Sequence, residues 1–274
     1  MPKNKIVKKS INDKFYTKEE VAKWCIEKVN TLVSPTNFLE PSAGNGAFSR
    51  NISNCHAIDI EPEHPSIRKM NYLKCYLRHW GKDLCVIGNP PFGERNNLTK
   101  NFIRHSMRSN VKWIAFVLPS VFKKFTNQRI FPDNWSLIFQ EDLPHNSFLL
   151  EGVDYHVPCV FQIWEKNSKR LNLREVEHGN QCKDFKILKN SEKEDADVFV
   201  FGSAPHKIIN LEDVKPNNRG YFLKSSIDKE DLMCKIRGVD WANLGNSSVS
   251  GGVFWISTNE FIKHYKEKWE NGND

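Results

Sequence analysis

Phe38-Leu39-Glu40-Pro41-Ser42-Ala43-Gly44-Asn45-Gly46 reads as a short buried strand, an acid at its end and a glycine turn that leads toward a helix. Lacking Cβ atoms, the two glycines let the backbone turn sharply and approach a ligand closely. The next apolar run, Ala57-Ile58-Asp59-Ile60, carries a carboxylate about fifteen residues beyond the turn, where it can accept both hydroxyls of a ribose. Glu61 competes for that role. The third glycine of the dinucleotide fingerprint is missing after Gly46, so a nucleoside without pyrophosphate fits the turn better than a dinucleotide.

Working outward, short apolar runs bounded by turn residues recur at Leu84-Cys85-Val86-Ile87, Trp113 to Leu118, Ser136 to Phe139 and Cys159 to Trp164. Runs of this kind are expected as strands buried on both faces. Ala47 to Ile52 and Leu98 to Arg108 are compatible with helices between them. Upstream, Thr17 and Glu20 have the spacing of a capping box, and Val21, Trp24, Cys25, Lys28 and Val29 recur at helical spacing, predicting a helix from about Lys18 to Asn30. The alternation predicts an α/β fold built on a doubly wound, mostly parallel sheet, with its ligand at the carboxyl ends of the strands.

After Lys166 the chain becomes polar and turn-rich, with Gly179-Asn180, Pro216-Asn217-Asn218, Gly251-Gly252 and short runs such as Val198-Phe199-Val200-Phe201. This places a boundary near Asn167, between a catalytic domain over 1–166 and a small C-terminal extension over 167–274. Ser257 and Glu260 form a second possible capping box, followed by Ile262, Tyr265 and Trp269 on one face of a closing helix.

The 274 residues, 39% of them hydrophobic, suffice for one full core and an appended domain. No run approaches the ~20 apolar residues of a membrane span, and the lysines at Lys3, Lys5, Lys8 and Lys9 are not followed by an apolar signal segment, so a soluble, cytoplasmic protein without a membrane partner is expected. Seven scattered cysteines, without a Cys-x-x-Cys pair or a histidine at zinc-ligand spacing, read as free thiols in a reducing compartment, and no metal is expected. The net charge is +7, and its distribution says more than its size. Arg95, Lys100, Arg104, Arg108, Lys112, Lys123, Lys124 and Arg129 follow one another without an intervening acid, a one-sided stretch that attracts phosphate or forms a solvated face.

Asn89-Pro90-Pro91-Phe92 directly follows the apolar run ending at Gly88, which puts it on the same sheet edge as the glycine turn. Taken alone, Pro-Pro-Phe is also an ordinary strand-ending turn. The Asn89 side-chain oxygen and the Pro90 carbonyl, on a backbone stiffened by two prolines, are two acceptors able to hold the hydrogens of an amine. The exocyclic amine of adenine needs such help, because its lone pair is delocalised into the ring. Phe92 would stack on the base, worth roughly 1–3 kcal/mol.

With these motifs in this order, the chain from about Phe15 to Lys166 resembles the S-adenosylmethionine-dependent amino-methyltransferases of nucleic acid that carry (Asn or Asp)-Pro-Pro-aromatic after their cofactor motifs. The resemblance implies a Rossmann-like fold. It implies that S-adenosylmethionine meets Tyr16, Thr17, Glu40, Pro41, Ser42, Ala43, Gly44, Gly46, Asp59, Ile60, Asn71 and Tyr72, its sulfonium near Glu40. Asn89, Pro90, Pro91 and Phe92 become the catalytic residues, Val117-Leu118-Pro119-Ser120 the strand that follows, and Phe148 a further aromatic against the flipped adenine. One departure is Asn71-Tyr72, where the family carries Asp-Phe or Asp-Leu; a neutral acceptor binds the cofactor's adenine amine more weakly than a charged one.

The implied substrate is adenine in DNA. In a duplex its amine is hidden in the stack, so the base must be flipped out at a cost of about a few kcal/mol, with Arg95, Lys100, Arg104, Lys123 and Lys124 as phosphate contacts. The extension would choose the sequence, with Arg219, Lys224 and Arg237 as base readers, although its acids and bases nearly balance. Adenine in RNA is the nearest alternative, since the tetrapeptide would serve it unchanged. Methylation of a protein glutamine amide and a non-catalytic adaptor are more distant ones.

Overall fold

A computed structural model describes residues 15–108, 110–241 and 255–271; Lys3, Lys5, Lys8, Lys9 and Gly251-Gly252 lie outside them. The chain divides into two compact units, one of the described residues up to Lys123 with Asn127–Arg174, the other of Lys124–Thr126 with the described residues from Glu175 onward. Residues 167–174 stay with the first unit because they are bonded to it. The Leu173 N–H donates to the Leu137 carbonyl, the Asn172 side chain accepts from the Leu137 N–H, and the Arg174 guanidinium reaches the carbonyls of Gln128 and Phe131.

The first unit runs β1 (Tyr16–Thr17), α1 (Glu19–Leu32), β2 (Asn37–Glu40), β3 (Cys55–Asp59), β4 (Arg68–Lys69), β5 (Leu84–Gly88), α2 (Asn97–Ser106), β6 (Val111–Pro119), the single turn α3 (Phe125–Gln128), whose first two residues count with the second unit, β7 (Trp135–Asp142), β8 (Phe148–Leu150), β9 (Val153–Tyr155) and β10 (Cys159–Lys166). Seven strands form one sheet in the order β4-β3-β2-β5-β6-β10-β7. β4 through β6 are parallel, and β10 runs antiparallel to β6 and β7. This is an α/β fold with a mostly parallel, Rossmann-like sheet. β1, β8 and β9 form a separate three-stranded sheet.

The continuous apolar runs arise because both faces of the sheet are covered. Along β6, Ile114, Phe116 and Leu118 point to one cluster, with Phe102 and Ile103 of α2, while Trp113, Ala115 and Val117 point to the other, with Val21, Cys25 and Val29 of α1. Each fully buried side chain of this size contributes about 1.5–3 kcal/mol relative to exposure. α1 and α2 thus lie on opposite faces, which makes the sheet doubly wound.

Two local expectations are corrected. Ala47 to Ile52 gives only a 3-10 turn at Ser49–Asn51, since the few residues between Gly46 and β3 are too short a run to repay helix nucleation. The Thr17–Glu20 capping box does not form. Thr17 is drawn into β1, opposite Phe148, and Lys18 stands at the start of α1 without a side-chain cap.

The second unit holds β11 (Phe185–Leu188), β12 (Val198–Phe201), β13 (Ala204–Asn210), β14 (Gly220–Ser225), α4 (Lys229–Arg237) and α5 (Thr258–Trp269). Its antiparallel pairs give the order β11-β14-β12-β13. Ile187, Val198, Val200 and Leu223 pack against Leu232, Ile236, Phe261 and Tyr265 of the helices. The Ser257–Glu260 capping box at α5 is made in full. No helix among the described residues is long and apolar enough to cross a membrane.

Candidate active site

From the neighbours β2 and β5 the chain steps one way to β3 and β4 and the other way to β6, so the topological switch point lies between the carboxyl ends of β2 and β5. Those ends are Glu40 and Gly88. Gly88 has φ +144°, and a Cβ there would stand 3.3 Å from Glu40 Cγ, so only glycine lets Glu40 pack this closely. Just beyond these ends, the Ser42 hydroxyl donates to the Asn89 carbonyl at 3.1 Å. The glycine turn and the tetrapeptide are therefore in direct contact.

Two acids shape the turn. Glu40 is only 2% exposed and accepts the Ser49 N–H at 2.8 Å. Burial pushes its carboxyl up to about 7, against the opposing pull of Ser49 and the Phe48 amide. Asp59 accepts the Gly44 N–H on Oδ2 and the Glu61 N–H on Oδ1, each at 2.8 Å, and its remaining lone pairs are available to a ligand. Gly44, at φ +52°, lies under the Tyr16 ring, where a Cβ would come within 3.1 Å of Cε1. The Tyr16 hydroxyl donates to Glu63 Oε1; burial first, and then that bond, raises the phenol above its ordinary range.

The tetrapeptide presents an unmet acceptor. Asn89 Oδ1 is buried without a hydrogen-bond partner, a condition costing about 1–3 kcal/mol unless a donor arrives. Behind it, the buried Thr99 hydroxyl donates to the Pro91 carbonyl at 3.0 Å and fixes the loop. Phe92 is half-buried, with the Phe15 ring edge-on at 5.2 Å and Phe148 beyond it, 5.1 Å from Phe15. Thr17 Oγ1 is a second buried polar atom without a partner. An acceptor in want of a donor, a half-exposed ring and a buried acid beside a glycine turn can hold a planar amine against a cationic nucleoside.

No family model matches this chain, and no curated protein does. Solved structures do. A protein of Thermoplasma acidophilum is 17% identical over 54% of this chain and 89% of its own, with a TM-score of 0.40. A protein of Pyrococcus horikoshii assigned as an RNA methyltransferase is 12% identical over 58% of this chain and 92% of its own, at 0.43. The M protein of the type I restriction enzyme EcoKI is 16% identical over 65% of this chain and 48% of its own, at 0.42. Likeness at this level adds nothing to the strand order above, and the chemistry rests on the residues at the sheet edge.

Of the residues expected at the cofactor site, Tyr16, Glu40, Pro41, Ser42, Ala43, Gly44, Gly46 and Asp59 gather at the switch point. Thr17 follows Tyr16 in β1, and Ile60 stands 60% exposed beside Asp59. Two do not fit. Tyr72 is a core residue, its hydroxyl bonded to Ser106 and its ring packed on Phe102 and His105 of α2. Asn71 is exposed, and its oxygen caps the 3-10 turn that follows by accepting the Leu73 N–H at 3.0 Å.

Among the expected nucleic-acid contacts, Arg95 and Arg104 are exposed and Lys100 is half-buried; Lys100 and Arg104 lie one helical turn apart on α2. Lys123 and Lys124 are not available in the same way. Lys123 is held by both Asp142 oxygens at 2.8 and 2.9 Å, and Lys124, within the second unit, by Glu260 at 3.1 Å and the Trp255 carbonyl at 3.0 Å. Phe148 is fully buried, as the partner of Phe15, and offers no face for a base. Lys224 pairs with Asp197, while Arg219 and Arg237 are exposed.

Sequence reasoning missed Phe15, Glu63 and Thr99. Phe15 carried a signal, an aromatic directly ahead of Tyr16-Thr17. Glu63 and Thr99 carried none, since a glutamate in a polar turn and a threonine in a helix are commonplace until the fold brings each against its partner.

Proposed function

We propose that this protein transfers the methyl group of S-adenosylmethionine to the exocyclic N6 amine of adenine in DNA. The observation that carries this reading is Asn89 Oδ1, a buried acceptor without a donor at the topological switch point, on a backbone bonded to the glycine turn. S-adenosylmethionine, when bound, supplies a methyl group on a sulfonium. The residues fit such a ligand: Glu40 offers a buried carboxylate to a cation, Asp59 keeps acceptor capacity for ribose hydroxyls, and Thr17 Oγ1 is a buried polar atom without a partner.

Asn89 Oδ1 and the Pro90 carbonyl accept the two amine hydrogens and draw the nitrogen out of conjugation toward tetrahedral geometry, while Phe92 stacks on the base. No strong base is needed, because the proton leaves nitrogen after the new N–C bond has formed. Swinging adenine out of a duplex costs about a few kcal/mol, which phosphate contacts from Arg95, Lys100 and Arg104 offset. The second unit is assigned the choice of sequence.

Tritium transfer from labelled S-adenosylmethionine to duplex DNA, single-stranded DNA and RNA, followed by nucleoside analysis, tests the proposal. N6-methyladenine in DNA is the expected product. Label in RNA alone would move the same chemistry to the other polymer, and no transfer to any of the three would refute the reading.

A further inference from the structure

Three contacts converge on Gly44 from separate parts of the chain, and a fourth links two of the contacting residues. Its N–H is held by Asp59 at 2.8 Å, its carbonyl accepts the Glu63 N–H at 3.0 Å, its Cα is covered by the Tyr16 ring, and the Tyr16 hydroxyl closes the circuit on the Glu63 carboxylate. Glu63 thus grips the glycine turn with its backbone and β1 with its side chain. β1 needs such a grip. It has two residues, paired among the described residues to β8, and the adjoining Lys18 is tethered on the same side, its N–H on the Ser147 carbonyl and its ammonium on Asp154 at 2.7 Å.

We propose that Tyr16 and Glu63 form a clasp that fastens β1 over the glycine turn, and that opening this clasp sets how fast a nucleoside leaves the site. The second part rests on the proposed function; the first does not. Glu63 is here a positioning residue, acting through Tyr16. The phenol donates to a carboxylate, a charge-assisted bond, so the clasp is stronger than a neutral pair would be. Tyr16→Phe removes the donor and keeps the ring over Gly44, while Glu63→Gln keeps the shape and removes the charge.

The experiment uses the full chain and two readouts. Amide hydrogen exchange of the ligand-free protein should quicken at residues 16 to 18 by about tenfold in Tyr16→Phe, the effect expected of a hydrogen bond to a charged group, by less in Glu63→Gln, which keeps a neutral acceptor, and in the double variant no further than in Tyr16→Phe. Dissociation of S-adenosylhomocysteine, followed by stopped-flow fluorescence, should accelerate by a similar factor, with association changed less than about twofold. Unchanged exchange, or effects that simply add in the double variant, would overturn the clasp. Quickened exchange with dissociation unchanged would overturn its control of ligand exit. Wild-type protein that does not bind S-adenosylhomocysteine would count against the proposed function, and exchange would still decide the clasp.

Discussion

The Ser42 hydroxyl donates to the main-chain carbonyl of Asn89 at 3.1 Å, so a residue of the glycine turn holds the backbone from which the amide side chain projects. Such a bond contributes only about 1 kcal/mol to stability, but it fixes where Asn89 Oδ1 stands. Ser42→Ala should therefore lower methyl transfer by about tenfold, short of the ~10²-fold that a 1 Å misplacement can cost. Affinity for S-adenosylmethionine, measured by calorimetry, should hold, and Ser42→Thr should restore much of the rate.

Asn89 Oδ1, buried without a hydrogen-bond partner, works against the stability of the fold. Replacing its unsatisfied buried amide with the similarly sized Asn89→Leu should raise the denaturation midpoint, by an amount equivalent to about 1 kcal/mol, while abolishing transfer. A drop in stability on chemical denaturation would mean that the amide is satisfied in solution.

Glu40 gives the site a pH signature. Its carboxyl, raised to about 7 by burial, holds a proton in the folded protein that the unfolded chain, near the ordinary glutamate value, releases. Its contribution to stability is therefore present below the unfolded value and is lost as pH rises through about 7. A sulfonium prefers the ionised form. The ratio of S-adenosylmethionine to S-adenosylhomocysteine affinity should fall by up to ~10-fold per pH unit as pH drops below about 7, and Glu40→Gln should flatten it. Titration calorimetry of both ligands across pH 5.5–8.5 checks the slope; a flat wild-type ratio would separate Glu40 from the positive charge.

The basic stretch divides into charges that stand open to solvent and charges held by acids. Lys100→Ala and Arg104→Ala should each weaken DNA binding and reduce its slope against log salt by about 0.9 for every phosphate no longer neutralised. Lys123→Ala should leave that slope alone, because Asp142 already holds its ammonium. Fluorescence anisotropy over a salt series separates the two groups.

What could be read from the sequence was what depends on local chemistry. Phe38 to Gly46 and Leu84 to Phe92 declared strands and turns because strand burial on both faces demands unbroken apolar runs and sharp turns demand glycine and proline. The full capping box at Ser257 and Glu260 was legible for the same reason. Thr17 misled, since the same residue that caps a helix also suits a strand, and pairing with Phe148, far along the chain, settled the matter. The burial and pairing of Tyr72, Phe148, Lys123 and Lys124 were not legible, because they are set by distant partners: Ser106, Phe15, Asp142 and Glu260. The antiparallel entry of β10 between β6 and β7 likewise leaves no trace in an apolar run.

The decisive measurement is the transfer rate of Asn89→Ala set beside its affinity for S-adenosylmethionine. Removing an acceptor that acts on the reacting amine should cut the rate by about 10²–10³-fold while affinity stays within about threefold of wild type. A variant that methylates adenine at the wild-type rate, or that loses the cofactor and the rate together, would contradict the role given to Asn89.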